Sequence, residues 1–351
     1  MEKVYLVLQS GSVYEGFLLG ADTETEGEIV FTTAMTGYME TLTDPSYYGQ
    51  IVVQTFPMIG NYGAIGEDAE SGGVFARGYV VRELCESPSN YRSSGTLDAY
   101  LKARGIPCVC GVDTRAVTKE IRESGVMNAK IVKDLSHFPD FASYRVENAV
   151  KNAGGKARVV GGGDAKYRVA FLDYGAKENI VRCLVKRGAE VSVFPHDTAA
   201  EVILEGGFDG LVLSNGPGDP KENVFEIGEL KKLLGRLPIF GICLGHQLLA
   251  LAAGGDTKKL KYGHRGANQP VKDLKSGRVY ITSQNHGYAV DEKLPAGARV
   301  TFVNVNDGTV EGVEYEGKNA FTVQFHPEAC GGPKDSEGLF DRFFEAVRLC
   351  R

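Results

Sequence analysis

From Val169 onward, short apolar runs alternate with stretches of helical spacing, and the runs are apolar throughout rather than at every second position. The pattern predicts a strand at 169–173, a helix at 176–187, strands at 191–194 and 210–214, a helix at 224–234 and a strand at 239–242. A strand with no polar face has to be covered on both sides. Such strands, alternating with helices, imply an α/β domain with a mostly parallel sheet and helices on both faces. Further strand-like segments follow at 278–282, 300–304 and 321–325. The chain closes with a helix from Ser336, whose Leu339, Phe340, Phe343, Phe344 and Val347 share one face at 3.6-residue spacing.

The strand at 239–242 runs into Gly241-Ile242-Cys243-Leu244-Gly245, ahead of a helical stretch at 244–253. A thiol on a sharp strand-to-helix turn stands clear of the sheet, and glycines two residues to either side let backbone and substrate approach. The helix N-terminus behind it favours a thiolate. Further along, His326-Pro327-Glu328 ends an apolar strand, and alternation puts Glu328 on the same side as His326, where it can orient the imidazole. Read singly, each residue has a plain structural explanation: a core cysteine, a satisfied histidine, a solvated carboxylate. Together they read as a nucleophile, a base and an orienting group for covalent acyl transfer through a thioester. The carbonyl oxygen then needs hydrogen-bond donors, expected from the Leu244 amide and from Gly216 in the loop at 214–220. That loop, taken alone, reads equally well as a tight turn.

At 351 residues the chain is long for one core, and two domains are expected, at 1–152 and 168–351, joined by a Gly-rich linker at 153–167. The first half has strand-like segments at 4–9, 12–19 and 28–33, then helical spacing at 97–102, 116–121 and 141–152, with Asp113 or Thr114 as a cap. It reads as a smaller mixed β/α domain. With 43% hydrophobic and 24% charged residues and no long apolar run, the composition is that of a soluble, cytoplasmic protein. A net charge of −6 with no basic stripe argues against nucleic acid as a partner. Seven dispersed cysteines suit free thiols, including Cys108 and Cys110, and no metal-site spacing is present.

The elbow continuing into His246-Gln247, the 214–220 loop and the 326–328 triplet together resemble the triad, or class I, glutamine amidotransferases over roughly 167–351. The runs FTTAMTGY at 31–38, LTDPSYYGQ at 42–50 and GVDTRA at 111–116 resemble the N-terminal domain of the carbamoyl phosphate synthetase small subunit. So do DYGAK at 173–177, GHRGAN at 263–268 and QNHGY at 284–288. The resemblance implies hydrolysis of the glutamine side-chain amide, with Cys243 as nucleophile, His326 as base and then acid, and Glu328 as its orienter. It also implies glutamine held by Ser46, Gly216, Gly218, Leu244, Gln247, Asn285, Gly287 and Tyr288.

The family's pattern gives the base role to His326, so His246 stays structural; His286, between Asn285 and Gly287, reads as a supporting residue, and His264, between Gly263 and Arg265, as a structural one. Three features depart from the family's pattern: Cys330 after the triplet, Tyr288 where Phe is frequent, and the Gly-rich linker. This chain has no P-loop and needs no cofactor of its own. The resemblance implies a separate large subunit that binds ATP and Mg²⁺ and receives ammonia through a tunnel, for arginine or pyrimidine synthesis. Two alternatives are an amidase working alone or for another synthetase, and a regulatory subunit without catalysis; the intact triad stands against the second.

Overall fold

A computed structural model describes residues 2–136, 140–141 and 144–351. The chain divides into two compact units, Met1–Glu147 and Asn148–Arg351.

The first unit carries strands β1 (Lys3–Leu8), β2 (Val13–Gly20), β3 (Thr25–Thr32), β4 (Gln50–Gln54), β5 (Met58–Ile59), β6 (Gly78–Val81), β7 (Glu83–Leu84), β8 (Pro107–Cys110) and β9 (Met127–Val132). The short β5 and β7 pair with each other. The other seven close a barrel in the order β1-β2-β8-β6-β4-β3-β9. Alternation sorts their side chains into two cores. Leu6, Ile29, Ile51, Val80, Val109 and Ile131 pack together with residues of helix α3 (Thr114–Ser124). Val30, Val52, Tyr79 and Cys108 pack instead with α1 (Tyr38–Thr43) and α2 (Leu97–Lys102). Asp113 caps α3, accepting from the Ala116 N–H at 3.0 Å.

The second unit holds β10 (Arg158–Val160), β11 (Tyr167–Asp173), β12 (Ala189–Pro195), β13 (Gly210–Leu213), β14 (Ile239–Ile242), β15 (Thr257–Asp273), β16 (Val279–Val290), β17 (Ala298–Asn304), β18 (Val310–Tyr315) and β19 (Ala320–Val323). They form one sheet in the order β10-β12-β11-β13-β14-β19-β18-β16-β15-β17. Strands β12, β11, β13, β14 and β19 run parallel to one another; the rest are antiparallel. Helices cover both faces, as the apolar strands required. Val169 and Phe171 of β11 pack toward α5 (Glu178–Lys186) and α9 (Gly338–Cys350). Ala170 and Leu172 pack toward α6 (Ala200–Glu205), α7 (Val224–Leu233) and α8 (Leu244–Ala252). Phe340, Phe343, Phe344 and Val347 of α9 are all buried, each worth about 1.5–3 kcal/mol against exposure.

Two features differ from the sequence reading. Arg158–Val160, inside the stretch read as a linker, is an edge strand paired with Val191–Val193 of β12; its two valines outweigh the flanking glycines. The helix expected over 141–152 is the shorter α4 (Ala149–Ala153), which starts after Asn148 at φ 51°; residues 142 and 143 lie outside the described residues. All seven cysteines are free thiols.

Candidate active site

Cys243 joins β14 to α8 at φ 53° and ψ −101°. Among the described residues only Asn148 and Asn319 share a positive φ without being glycine. Asn148, at ψ 36°, sits in the left-handed region that asparagine tolerates, whereas ψ −101° puts Cys243 outside it. The nucleophile candidate therefore sits on a strained turn. Its neighbours explain how the strain is held. A Cβ on Gly241 would lie 2.9 Å from the Gly245 carbonyl oxygen, and one on Gly245 would lie 2.6 Å from Leu213 Cβ and from its carbonyl oxygen. The turn closes only with glycine at both places.

His326 is buried, and its Nδ1 lies 2.6 Å from Glu328 Oε1. The route to this pair differs from strand alternation: β19 ends at Val323, and Pro327 and Glu328 form a turn that brings the carboxylate back to the ring. The His326 N–H donates to the Ser283 carbonyl at 2.9 Å, and Asn179 Nδ2 donates to the Glu328 carbonyl. Burial and the Lys177 ammonium both oppose protonation of His326. The Glu328 carboxylate and the Cys243 thiol outweigh them and push its pKa up to about 10. Glu328 titrates below the usual carboxylate range despite burial, because His326 and Lys177 stabilise its charge. The arrangement favours an imidazolium beside the sulfur, and His326 Nε2 is buried with no hydrogen-bond partner.

The loop at 214–220 is tied to the end of β11. Tyr174 N donates to Ser214 Oγ at 2.8 Å, Lys177 N to Asn215 Oδ1 at 3.0 Å, and Asn215 Nδ2 to the Gly175 carbonyl at 3.0 Å. Gly216 lies beside Leu244: a Cβ there would be 2.7 Å from Leu244 Cδ2 and 2.3 Å from the Tyr174 carbonyl. Close approach, not a turn conformation, demands glycine at 216. Gly218, at φ 89°, is the turn glycine.

The segment carrying Asn285, Gly287 and Tyr288 belongs to β16. The Asn285 carbonyl lies 3.8 Å from Cys243 Sγ, and the Tyr288 carbonyl accepts from Gln247 Nε2 at 2.8 Å. The structure thus gathers Cys243, Leu244, Gly216, Gln247, Asn285, Tyr288, His326 and Glu328 within the second unit. Ser46 lies in the first unit, buried in a short turn whose Asp44 carboxylate accepts its N–H at 2.9 Å. Cys330 is exposed. His246 is buried with Nδ1 2.7 Å from Thr322 Oγ1, and burial lowers its pKa to about 3, so it packs as a neutral ring.

Sequence reading gave no role to Lys177. Its Nζ lies 3.4 Å from His326 Nδ1 and 3.8 Å from Glu328 Oε1, on a largely buried side chain. A lysine just before a helix gives no signal by itself; the end of β11 delivers it to the triplet.

Residues 170–346 match the family of class I glutamine amidotransferases, and residues 6–131 match the CPSase domain of the carbamoyl-phosphate synthase small chain. The carbamoyl phosphate synthase small chain of Clostridium perfringens is 51% identical, over 98% of this chain and 99% of that one. The small chain of Staphylococcus saprophyticus is 48% identical over 99% and 96%. The pyrimidine-specific small chain of Bacillus subtilis is 46% identical over 97% and 95%. The chain belongs to the carbamoyl phosphate synthase small chain family. As a small chain it is a glutamine amidotransferase enzyme, its amidotransferase domain falling within the second unit and its small-chain domain within the first. Among the described residues no helix is long and apolar enough to cross a membrane.

Proposed function

We propose that this small chain hydrolyses glutamine to glutamate and ammonia through a thioester on Cys243, and passes the ammonia to a large subunit that forms carbamoyl phosphate with ATP and Mg²⁺. The observation that carries the reading is a strained cysteine at a helix N-terminus with a buried His326-Glu328 pair among its charge neighbours. The Cys243 sulfur, as the thiolate beside the His326 imidazolium, adds to the side-chain amide carbon, and the carbonyl electrons move to oxygen. N–H groups of Leu244 and Gly216 receive that charge, each worth about 3 kcal/mol in the transition state. His326, already protonated, gives its proton to the amide nitrogen, the C–N bond breaks and ammonia leaves. The neutral ring then takes a proton from water as it attacks the thioester; the C–S bond breaks, glutamate departs, and the thiolate is left beside the re-formed imidazolium. Glu328 keeps the ring in the tautomer and orientation that both transfers need. Gln247, Asn285, Gly287, Tyr288 and Gly218 are the proposed glutamine contacts in this unit.

The test is glutamate release from glutamine by the purified full chain, alone and with its large subunit. Wild type is expected to work slowly alone and faster in the complex, and Cys243→Ser to lose at least about 10³-fold. Unchanged hydrolysis in Cys243→Ser ends the assignment of the nucleophile.

A further inference from the structure

Glu311 of β18 is fully buried, and a carboxylate without solvent needs partners of its own. Gln284 Nε2 donates to its Oε2 at 3.0 Å, while His264 Nδ1 and Asn304 Nδ2 each lie 3.4 Å from Oε1. His264 Nε2 reaches Asp307 at 2.8 Å. Burial opposes charge on His264, but Glu311 and Asp307 outweigh it and raise its pKa, while burial pushes the Glu311 carboxyl above its usual range despite His264, Asn304 and Gln284.

The cluster has a direction. The carboxylate takes the N–H end of the Gln284 amide, so the carbonyl end must face away from it. That carbonyl oxygen lies 3.0 Å from His264 Nδ1 and 2.9 Å from His286 Nε2. His286 in turn has Nδ1 2.7 Å from the Tyr288 carbonyl, which is also the acceptor of Gln247 on α8. Flanking backbone completes the frame: the Ser283 carbonyl accepts from His326, and the Asn285 carbonyl lies against Cys243. The Glu311 carbonyl accepts from Gln324, whose Oε1 accepts from Gln247. Removing the carboxylate removes the group that orients the Gln284 amide; the amide is then free to turn over, reversing the donor and acceptor pattern shown to His286.

The same atoms, those of His264, His286 and Glu311, fall within 4.8 Å of one another, a spacing a metal ion can use. The Gln284 amide oxygen occupies the point on which both rings converge, within 3.0 Å of each. Burial and the neighbouring His264 hold the His286 pKa well below the usual range, so that neutral ring has one N–H to give to either the Gln284 or the Tyr288 carbonyl.

We propose that Glu311 is a positioning residue for glutamine binding, acting through Gln284 and His286 to fix the Asn285–Tyr288 segment against the nucleophile's helix. This rests on the glutaminase reading above. The triad does not run through Glu311, so its loss acts on KM and leaves kcat nearly alone. Steady-state kinetics of the full chain with Glu311→Met, which fills the volume but cannot accept, and with Glu311→Gln, which keeps an acceptor, tests it. Glu311→Met is expected to raise KM for glutamine about 10- to 100-fold, as for a lost buried hydrogen bond to a charged group, with kcat within about threefold. Glu311→Gln is expected to recover most of the loss. Calorimetric titration of glutamine into Cys243→Ser, with and without Glu311→Met, should show the same weakening without turnover.

A folded Glu311→Met with wild-type KM, or with kcat lost at constant KM, overturns the proposal. So does one equivalent of divalent metal bound to wild type and released by Glu311→Met, since the three side chains would then be ligands. A wild-type chain that neither binds nor hydrolyses glutamine sinks the glutaminase reading and this one with it; an active wild type with an indifferent Glu311→Met sinks this one alone.

Discussion

Cys243 and Asn285 meet at 3.8 Å, sulfur to carbonyl oxygen, but they are fixed by different kinds of force. Around Cys243 the constraint is steric. The parallel ladder of β13, β14 and β19 sets the strand, helices fill both faces, and two glycines admit a turn that any side chain would block. Around Asn285 it is polar. Strand β16 pairs with β15 through two register irregularities, and its orientation depends on Gln284, His286, His264 and Glu311 satisfying one another. Packing of the first kind tolerates little change in volume. A network of the second kind tolerates volume change but not loss of an acceptor.

The comparison breaks most visibly at Glu328, a polar group on the chemical side of the site. Glu328→Gln removes the charge that raises the basicity of His326, and the rate of glutamine hydrolysis is expected to fall by up to about 10⁴-fold, as for other orienting carboxylates. The pH profile gives a sharper readout. With the His326 pKa pushed up to about 10, the alkaline limb of wild-type activity is expected near there, and in Glu328→Gln it is expected at lower pH. Stability follows the same sign. A ring that binds its proton more tightly folded than unfolded contributes fully below about pH 6.5 and loses that contribution as pH rises toward 10. Thermal melts across that window should show the loss in wild type, and a smaller one in the variant. An alkaline limb that stays in place would mean that Glu328 does not set the proton affinity.

A steric effect belongs in stability instead. Gly245→Ala forces a Cβ to 2.6 Å from Leu213, and overpacking of this kind costs about 1–3 kcal/mol, read as a lower Tm or urea midpoint. Gly228→Ala is the matched control: it lies inside α7 with nothing within 4 Å of the new atom, so it should gain about 0.5–1 kcal/mol from helix propensity. If the two substitutions behave alike, the glycine at the elbow is there for some reason other than space.

The same division explains what could be read before any coordinates. The parallel half was legible because continuous apolar strands, a Gly-flanked cysteine and a phenylalanine-rich last helix each declare themselves locally. The antiparallel half was legible only in part: the segments read at 278–282 and 300–304 fall on β16 and β17, but β15 and β18 gave no signal. Strand β15 reads Lys-Lys-Leu-Lys-Tyr-Gly-His-Arg-Gly, with no alternation to detect, because its bulges shift the register partway along. Glu311, between Val310 and Gly312, looks like the solvent side of a strand, yet pairings with residues 264, 284 and 304 bury it completely. Cys243, His326 and Glu328 were read in order as candidates by residue type, and the structure places His326 and Glu328 2.6 Å apart. Lys177, whose meaning lies only in its 3.4 Å approach to His326, was not.

Lys177 gives the smallest expected effect, and the one whose sign is most telling. Its ammonium opposes protonation of His326 while stabilising the charge on Glu328, so the two influences on the pair partly cancel. Lys177→Met keeps the chain length and removes the charge; kcat/KM is expected to change by less than about tenfold, since the triad's own contacts remain. The alkaline limb should move to higher pH, because a group that lowered the basicity of His326 is gone. That is opposite to the shift expected for Glu328→Gln, and the pair of profiles separates an electrostatic role from a structural one. A residue that merely held α5 in place would lower activity at every pH and leave the limb where it was, whereas a charge acting on the ring moves the limb in the direction its sign dictates.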